Sequence, residues 1–143
     1  KTQMEETIEC ESIGRLASAT PVCVSPTTPV SAAIGLLAER NIGCVLVTWC
    51  DALVGIFSER DALMKVGTRL VEVAQEPVRH FMTPAPETLR EDDPIAFALN
   101  RMSVGDFRHI PIERDERATG ILSARDVIRY FAEEFPEFLP PGR

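Results

Sequence analysis

GIFSERD at residues 55–61 returns as GILSARD at residues 120–126, with glycine, isoleucine, serine, arginine and aspartate at the same places. The offset of 65 extends outward without a gap, so that Ile13 falls on Val78, Leu16 on Phe81, Pro21 on Pro86 and Pro29 on Pro94. Between Pro21 and Asp61, eight of 41 positions match their partners, and five of the eight lie inside the motif. A fixed period of this kind is one supersecondary unit written twice, with its tightest constraint on those seven residues.

The flanks of the motif supply the rest of the unit. Thr28-Pro29 and Asp93-Pro94 set a capping oxygen ahead of a proline, which predicts helices with proline at the first helical position. Val30, Ala33, Ile34 and Leu37, and in the second copy Ile95, Ala98, Leu99 and Met102, recur at i, i+3, i+4 and i+7 and lay one apolar stripe per helix. Residues 44–48 and 53–57 then read as a hairpin about Cys50-Asp51, answered by 109–112 and 119–122. A second helix follows each hairpin: 62–66 stopped at Gly67, and 127–135 stopped at Pro136.

Each unit is therefore short strand, helix, strand, strand, helix. A unit of about sixty residues has a marginal core alone, so the two copies are expected to pack sheet to sheet in an α+β fold of two pseudo-symmetric β-α-β-β-α repeats. The expected boundaries are an N-terminal extension over 1–12, repeats over 13–76 and 77–135, and an extended tail over 136–143 containing Pro136, Pro140 and Pro141.

Charge and composition exclude several functions. Fifteen basic against 22 acidic residues give a formal charge of −7, which supplies no long-range attraction to nucleic acid or anionic lipid. Any bound anion must be held by local arginines and backbone amides. The most apolar window, 42–57, is broken by Asp51 and is shorter than the ~20 residues a bilayer span needs. Cys10, Cys23, Cys44 and Cys50 show no C-x-x-C pair and no histidine at zinc-finger distance, so no metal site is expected. Cys23 and Cys44 lie in apolar strand-like runs as small hydrophobes, in keeping with a reducing cytoplasm. There is no phosphate-cradling G-x-x-x-x-G-K-[ST] or G-x-G-x-x-G loop, and His109, at a strand start, reads as a structural residue rather than a general base, so no enzymatic activity is expected.

Two readings of the motif remain open on the residues alone. Ser58 with Asp61, and Ser123 with Asp126, have the spacing of a capping box. The same carboxylate at a helix start can also accept hydrogen bonds from two adjacent hydroxyls, as a ribose presents them, while nearby N–H groups face phosphate. A cap requires neither the glycine nor the arginine that both copies keep.

With GIFSERD, GILSARD, HIPI at 109–112 and FMTPAPETLREDDPI at 81–95, the chain resembles the tandem CBS-domain family, the paired unit called a Bateman module, over residues 13–135. The resemblance implies a non-catalytic regulatory module that binds AMP, ADP, ATP or S-adenosylmethionine as a regulatory ligand in clefts between the repeats, with no cofactor required. It assigns Asp61 and Asp126 to ribose hydroxyls, with Ser58 and Ser123 beside them. Adenine would lie between Val22, Ile42 and Ile121 in one cleft, and against Ile56 and Phe107 in the other. Arg108 stands where the family places a phosphate-binding base; its counterpart is Gly43, and Glu87 replaces Val22, so the clefts should differ. Arg60 and Arg125 either touch phosphate or salt-bridge to Glu59, Asp126 or a dimer neighbour. Leu46 departs from the pattern that Pro111 keeps. The resemblance also implies a homodimer and a fused or separate effector domain, and Trp49 either folds over its own hairpin or contacts another protomer. The competing reading is a dimerising scaffold with no small-molecule ligand.

Overall fold

The structure, a computed structural model, describes residues 1–16, 18–105 and 107–142. Its elements run α1 (Gln3–Cys10), β1 (Cys23–Val24), α2 (Val30–Arg40), β2 (Cys44–Trp49), β3 (Ala52–Ser58), α3 (Glu59–Asp61), α4 (Leu70–Val73), β4 (Thr83–Pro84), α5 (Ile95–Gly105), β5 (His109–Arg114), β6 (Arg117–Ser123) and α6 (Ala124–Glu134). The two hairpins are copies in detail. Cys50 and Asp51 have φ of 51° and 68°, and Asp115 and Glu116 have 52° and 68°. That pair of positive φ values is the two-residue turn whose twist matches its strands.

The first sheet has the order β1-β2-β3-β4, with β1 parallel to β2 and the rest antiparallel. Around the β5-β6 hairpin, single bridges take the places of β1 and β4: Leu89 pairs parallel to Ile112, and Ala19 antiparallel to Ile121. The expected short strand of the second repeat is thus reduced to one residue. β4 belongs by sequence to the second repeat yet closes the first sheet, and Ala19 does the converse.

This exchange of lead-in segments is written into the backbone hydrogen bonds. Ile13 N–H donates to Asp93 O at 2.8 Å, and Val78 N–H to Thr28 O at 2.7 Å; Gly14 N–H donates to Glu91 O at 3.0 Å, and Arg79 N–H to Pro26 O at 3.1 Å. In each pair the second donor lies 65 residues on and the second acceptor 65 residues back. Two further long-range bonds explain a departure from the predicted helix starts. The helices begin at Val30 and Ile95, one residue after the prolines. Their first N–H groups donate to Glu76 O at 2.8 Å and Glu11 O at 2.9 Å. A proline there would lack the donor, so it stands just outside the helix. Thr28 and Asp93 do not cap through their side chains: Thr28 Oγ1 meets Ser25 Oγ, and Asp93 Oδ2 accepts from Arg90 N–H.

The cores follow the exchange. Ile13 and Leu16 are buried with Leu89, Ile95, Ile110 and Leu122 of the second repeat, whereas Val78 and Phe81 are buried with Val30, Val45 and Phe57 of the first. A third cluster, Cys44, Leu46, Ile56 and Ile121, joins the sheets. The fold is therefore two β-α-β-β-α repeats packed sheet to sheet, and Leu46, where the second repeat has proline, is fully buried in the join.

Other differences from the sequence reading have local causes. The helical stretch after β3 stops at Gly67, its C-cap, as the sequence reading has it, but it is a π turn and further short turns follow it. A π turn at Ala62–Val66 and a 3-10 turn at Gly67–Arg69 carry the chain on into α4, with Gly67 absorbing a positive φ of 51°. The extension forms α1, whose Met4 and Ile8, four apart, pack on the second core. Cys23 is exposed because β1 is an edge strand, while Cys44 is buried. Trp49 does not fold over its own hairpin; it is 61% exposed. The tail opens with a 3-10 turn, Pro136–Phe138, instead of extended chain.

Candidate ligand clefts

Both copies of the motif end a strand and start a helix. Ser58 and Ser123 are N-caps in extended backbone, and both complete a capping box: serine Oγ accepts the N–H of Asp61 or Asp126, while aspartate Oδ2 accepts the N–H of Ser58 or Ser123. The next amides, of Glu59 and Ala124, donate to Gly43 O and Arg108 O at 3.0 and 2.9 Å. Each helix start is thereby fixed beside the strand that follows the first helix of its repeat. The repeated glycine answers to a close approach. A Cβ on Gly55 would stand 2.3 Å from Met82 Sδ, and one on Gly120 2.8 Å from Ser18 Oγ, because the exchanged lead-in of the other repeat passes over each. The capping reading and the cleft reading are compatible, since one carboxylate oxygen is used in the cap.

Two cavities open at these motifs, of about 1240 and 960 Å³, at and above the upper end of the roughly 300–1,000 Å³ of small-molecule sites. The larger brings together Val22, Ile42, Ile121, Ser123, Asp126 and Arg125. The smaller brings together Ile56, Ser58, Arg60, Asp61, Phe107 and Glu87. Arg108 lines both. All twelve candidate residues of the sequence reading border one cavity or the other.

The two aspartates sit in different company. Asp61 is buried and fully engaged: Oδ2 accepts from Ser58 N–H at 3.0 Å and Ser58 Oγ–H at 3.1 Å, and Oδ1 from Thr83 Oγ1–H at 3.1 Å, with Lys65 Nζ at 3.0 Å. Lys65 is held in turn by Met82 O at 3.3 Å and Thr83 Oγ1 at 3.5 Å. Asp126 Oδ2 takes the Ser123 N–H at 2.8 Å, but its Oδ1 meets only Arg129 Nη1 among the described residues, at 3.3 Å, from a half-exposed side chain. No Thr83 equivalent reaches it; position 18 is a serine set against Gly120.

Charge is distributed unequally too. In a chain with a surplus of carboxylates, the exposed side chains of Arg108 and Arg125 form no hydrogen bond or ion pair among the described residues. Glu87 borders the smaller cleft but is paired with Arg101, whose guanidinium lies 4.6 Å over the Phe97 ring. Its carboxylate is thus paired as well as about half open to solvent, and does not stand bare in the cleft. His109 and its counterpart Cys44 both face the larger cleft. Burial holds the His109 imidazole below its usual range, with Arg108 adding to the effect and Glu59 and Asp126 opposing it. Burial, with Glu59 and Asp61 nearby, pushes the Cys44 thiol up to about 12, which leaves it an inert thiol.

Sequence reasoning missed Lys65, Thr83 and Arg129. Lys65 follows Asp61 by four and Arg129 follows Asp126 by three, spacings that put each pair on one helix face. Thr83 reaches Asp61 only through the pairing of β4 with β3, for which local sequence carries no signal.

A duplicated β-α-β-β-α unit with exchanged lead-ins and a serine-aspartate cleft on each copy defines a paired-repeat module. The CBS-domain family model matches residues 13–67 and 78–133, and the chain belongs to that family. A CBS domain-containing protein of Arabidopsis thaliana is 33% identical over 105 residues, 73% of this chain and 19% of that protein; the chain spans about a fifth of that relative's length. A CBS-domain containing protein from Agrobacterium tumefaciens has a solved structure with 31% identity and a TM-score of 0.72, over 78% of this chain and 90% of that one. The structure of CBSX2 in complex with AMP shares 24% identity and a TM-score of 0.74, over 86% of this chain and 97% of that one; this last likeness is one of fold.

Proposed function

We propose that the chain is a regulatory module that senses an adenosine-containing nucleotide, AMP, ADP, ATP or S-adenosylmethionine, in the Asp126 cleft. One observation carries the reading: a single cavity combines the apolar side chains Val22, Ile42 and Ile121, a carboxylate with an oxygen facing only a half-exposed arginine, and two guanidinium groups, of Arg108 and Arg125, unpaired among the described residues. Those are the three needs of a nucleotide: an apolar slot for the base, an acceptor for vicinal hydroxyls, and forked donors for phosphate. In this reading Arg129 yields its contact with Asp126 Oδ1 to the ribose and turns toward the phosphate. The AMP complex of CBSX2 supports such a use of the fold, while the assignment to this chain rests on its own residues.

The module acts by binding, with no chemical step. A ligand shifts only those states it binds unequally, and the exchanged lead-ins give it a lever, because the cleft walls belong to both repeats. The chain works in the cytoplasm as a homodimer coupled to a fused or separate effector domain. The repeats act as the sensing unit over 13–76 and 77–135, flanked by an extension and a tail. Exposed Leu63 and Ile128, which occupy equivalent positions, favour the dimer; the same observation favours the scaffold reading, in which the clefts stay empty.

Thermal unfolding with a panel of AMP, ADP, ATP, S-adenosylmethionine and NADH separates the two readings. A ligand at a hundred times its dissociation constant adds ~2.7 kcal/mol, so at least one adenosine compound should raise the midpoint by several degrees. A panel that moves nothing would leave the scaffold.

A further inference from the structure

We propose that Arg108 and His109 form a single anion-binding centre in the wall between the two clefts, so that the chain holds the phosphate of one ligand at a time. The inference deepens the nucleotide reading and rests on it for the nucleoside, but not for the anion.

Both residues line both cavities. Their counterparts in the first repeat, Gly43 and Cys44, bring no cation. Two independent phosphate sites would need one such group per repeat, whereas this chain has one at the wall for both clefts. Arg60 and Arg125 are equivalent to each other, one per cleft, and leave that imbalance in place. The missing side chain of Gly43 is also the space the histidine uses: a Cβ there would stand 2.4 Å from His109 Nε2. Neither the guanidinium of Arg108 nor the ring of His109 has a hydrogen-bond partner among the described residues, and no sealed, unsatisfied side-chain nitrogen is found among them. Their donors therefore reach open cleft space.

Among the described residues the wall carries one acidic residue, Glu59, which also borders both cavities. The Arg108 guanidinium offsets its charge, and the His109 ring adds a further N–H donor for one phosphate. A second phosphate entering from the other side would meet the same guanidinium together with the first anion and Glu59, and the repulsion between like charges would exclude it.

Calorimetric titration of the whole chain with pyrophosphate, AMP and adenosine tests this. Pyrophosphate should bind, AMP should bind once per chain, and Arg108→Ala should weaken both at least tenfold while adenosine changes less than twofold. His109→Gln and Gly43→Ala, which would push the ring aside, should each weaken AMP severalfold; Arg79→Ala, at a residue lining neither cleft, should not. Two AMP molecules per chain, or an AMP-to-adenosine affinity ratio untouched by Arg108→Ala, would overturn the shared centre and leave the nucleotide reading intact. Pyrophosphate binding through Arg108 with no response to adenosine or AMP would uphold the centre and remove the nucleotide reading. Binding of neither pyrophosphate nor AMP would remove both.

Discussion

The Asp126 and Asp61 clefts are built from one motif, end in the same capping box and face the same dividing wall. They differ in the neighbours of the carboxylate. In one, an oxygen meets a single half-exposed arginine; in the other, Ser58, Thr83 and Lys65 occupy both oxygens. Val22 against Glu87 continues the contrast, as an apolar wall for a base faces a charge engaged by Arg101. A duplicated motif thus preserves the helix start, whereas binding capacity is decided by residues three to twenty-odd positions away that differ between the copies.

The comparison can be pressed at several strengths. Phe57 and Leu122 are equivalent and both fully buried, so Phe57→Ala should cost about 3–5 kcal/mol and Leu122→Ala about 2–5. Because the lead-ins are exchanged, chemical denaturation followed by circular dichroism should show one transition in each variant. Two separated transitions would mean that the repeats are independent units. Lys65→Met combined with Thr83→Val should free Asp61 Oδ1 and add a second adenosine equivalent per chain in a calorimetric titration, without adding a second AMP. An unchanged adenosine count would show that Glu87 or Phe107, and not the two groups on Asp61 Oδ1, closes that cleft.

A smaller effect separates the wall from both clefts. His109 is held below the usual imidazole value of 6.5, chiefly by burial and also by Arg108, against the pull of Glu59 and Asp126. The unfolded chain therefore gains its proton first as pH falls. The stability contributed by neutral His109 is complete above pH 6.5 and is lost as pH drops from there toward the folded value, by at most ~1.4 kcal/mol per unit. His109→Gln should flatten that part of a stability profile measured by urea denaturation from pH 5 to 8. The smallest effect is chemical. An aromatic disulfide reagent at pH 8 should label exposed Cys10, Cys23 and Cys50 in the native chain, and buried Cys44, whose thiol is pushed up to about 12, far more slowly until the chain is unfolded.

The repeat units, the hairpins and the strand-to-helix junctions could be read from the sequence because each is local and written twice. Ser58, Asp61, Ser123 and Asp126 announce their position at a strand-to-helix junction by spacing alone. The exchange of lead-ins could not be read, since Ile13 N–H to Asp93 O joins residues 80 apart and leaves only an apolar pair, Ile13 and Val78, as its local trace. The same blindness misplaced the prolines by one residue, because the N–H groups of Val30 and Ile95 donate to Glu76 O and Glu11 O, far away in sequence. It hid Thr83 as the partner of Asp61. Lys65 and Arg129 lie within reach of a helix-face argument, and their spacing from Asp61 and Asp126 is enough to show that the two carboxylates keep different company.

The decisive experiment is an AMP titration by calorimetry on three proteins: the parent, Asp126→Asn and Asp61→Asn. Loss of two charge-assisted hydrogen bonds of about 1.5–3 kcal/mol each should weaken AMP at least a hundredfold in Asp126→Asn, while Asp61→Asn binds as the parent does. Equal affinity in the parent and Asp126→Asn, or loss confined to Asp61→Asn, would contradict the assignment of the nucleotide to the Asp126 cleft.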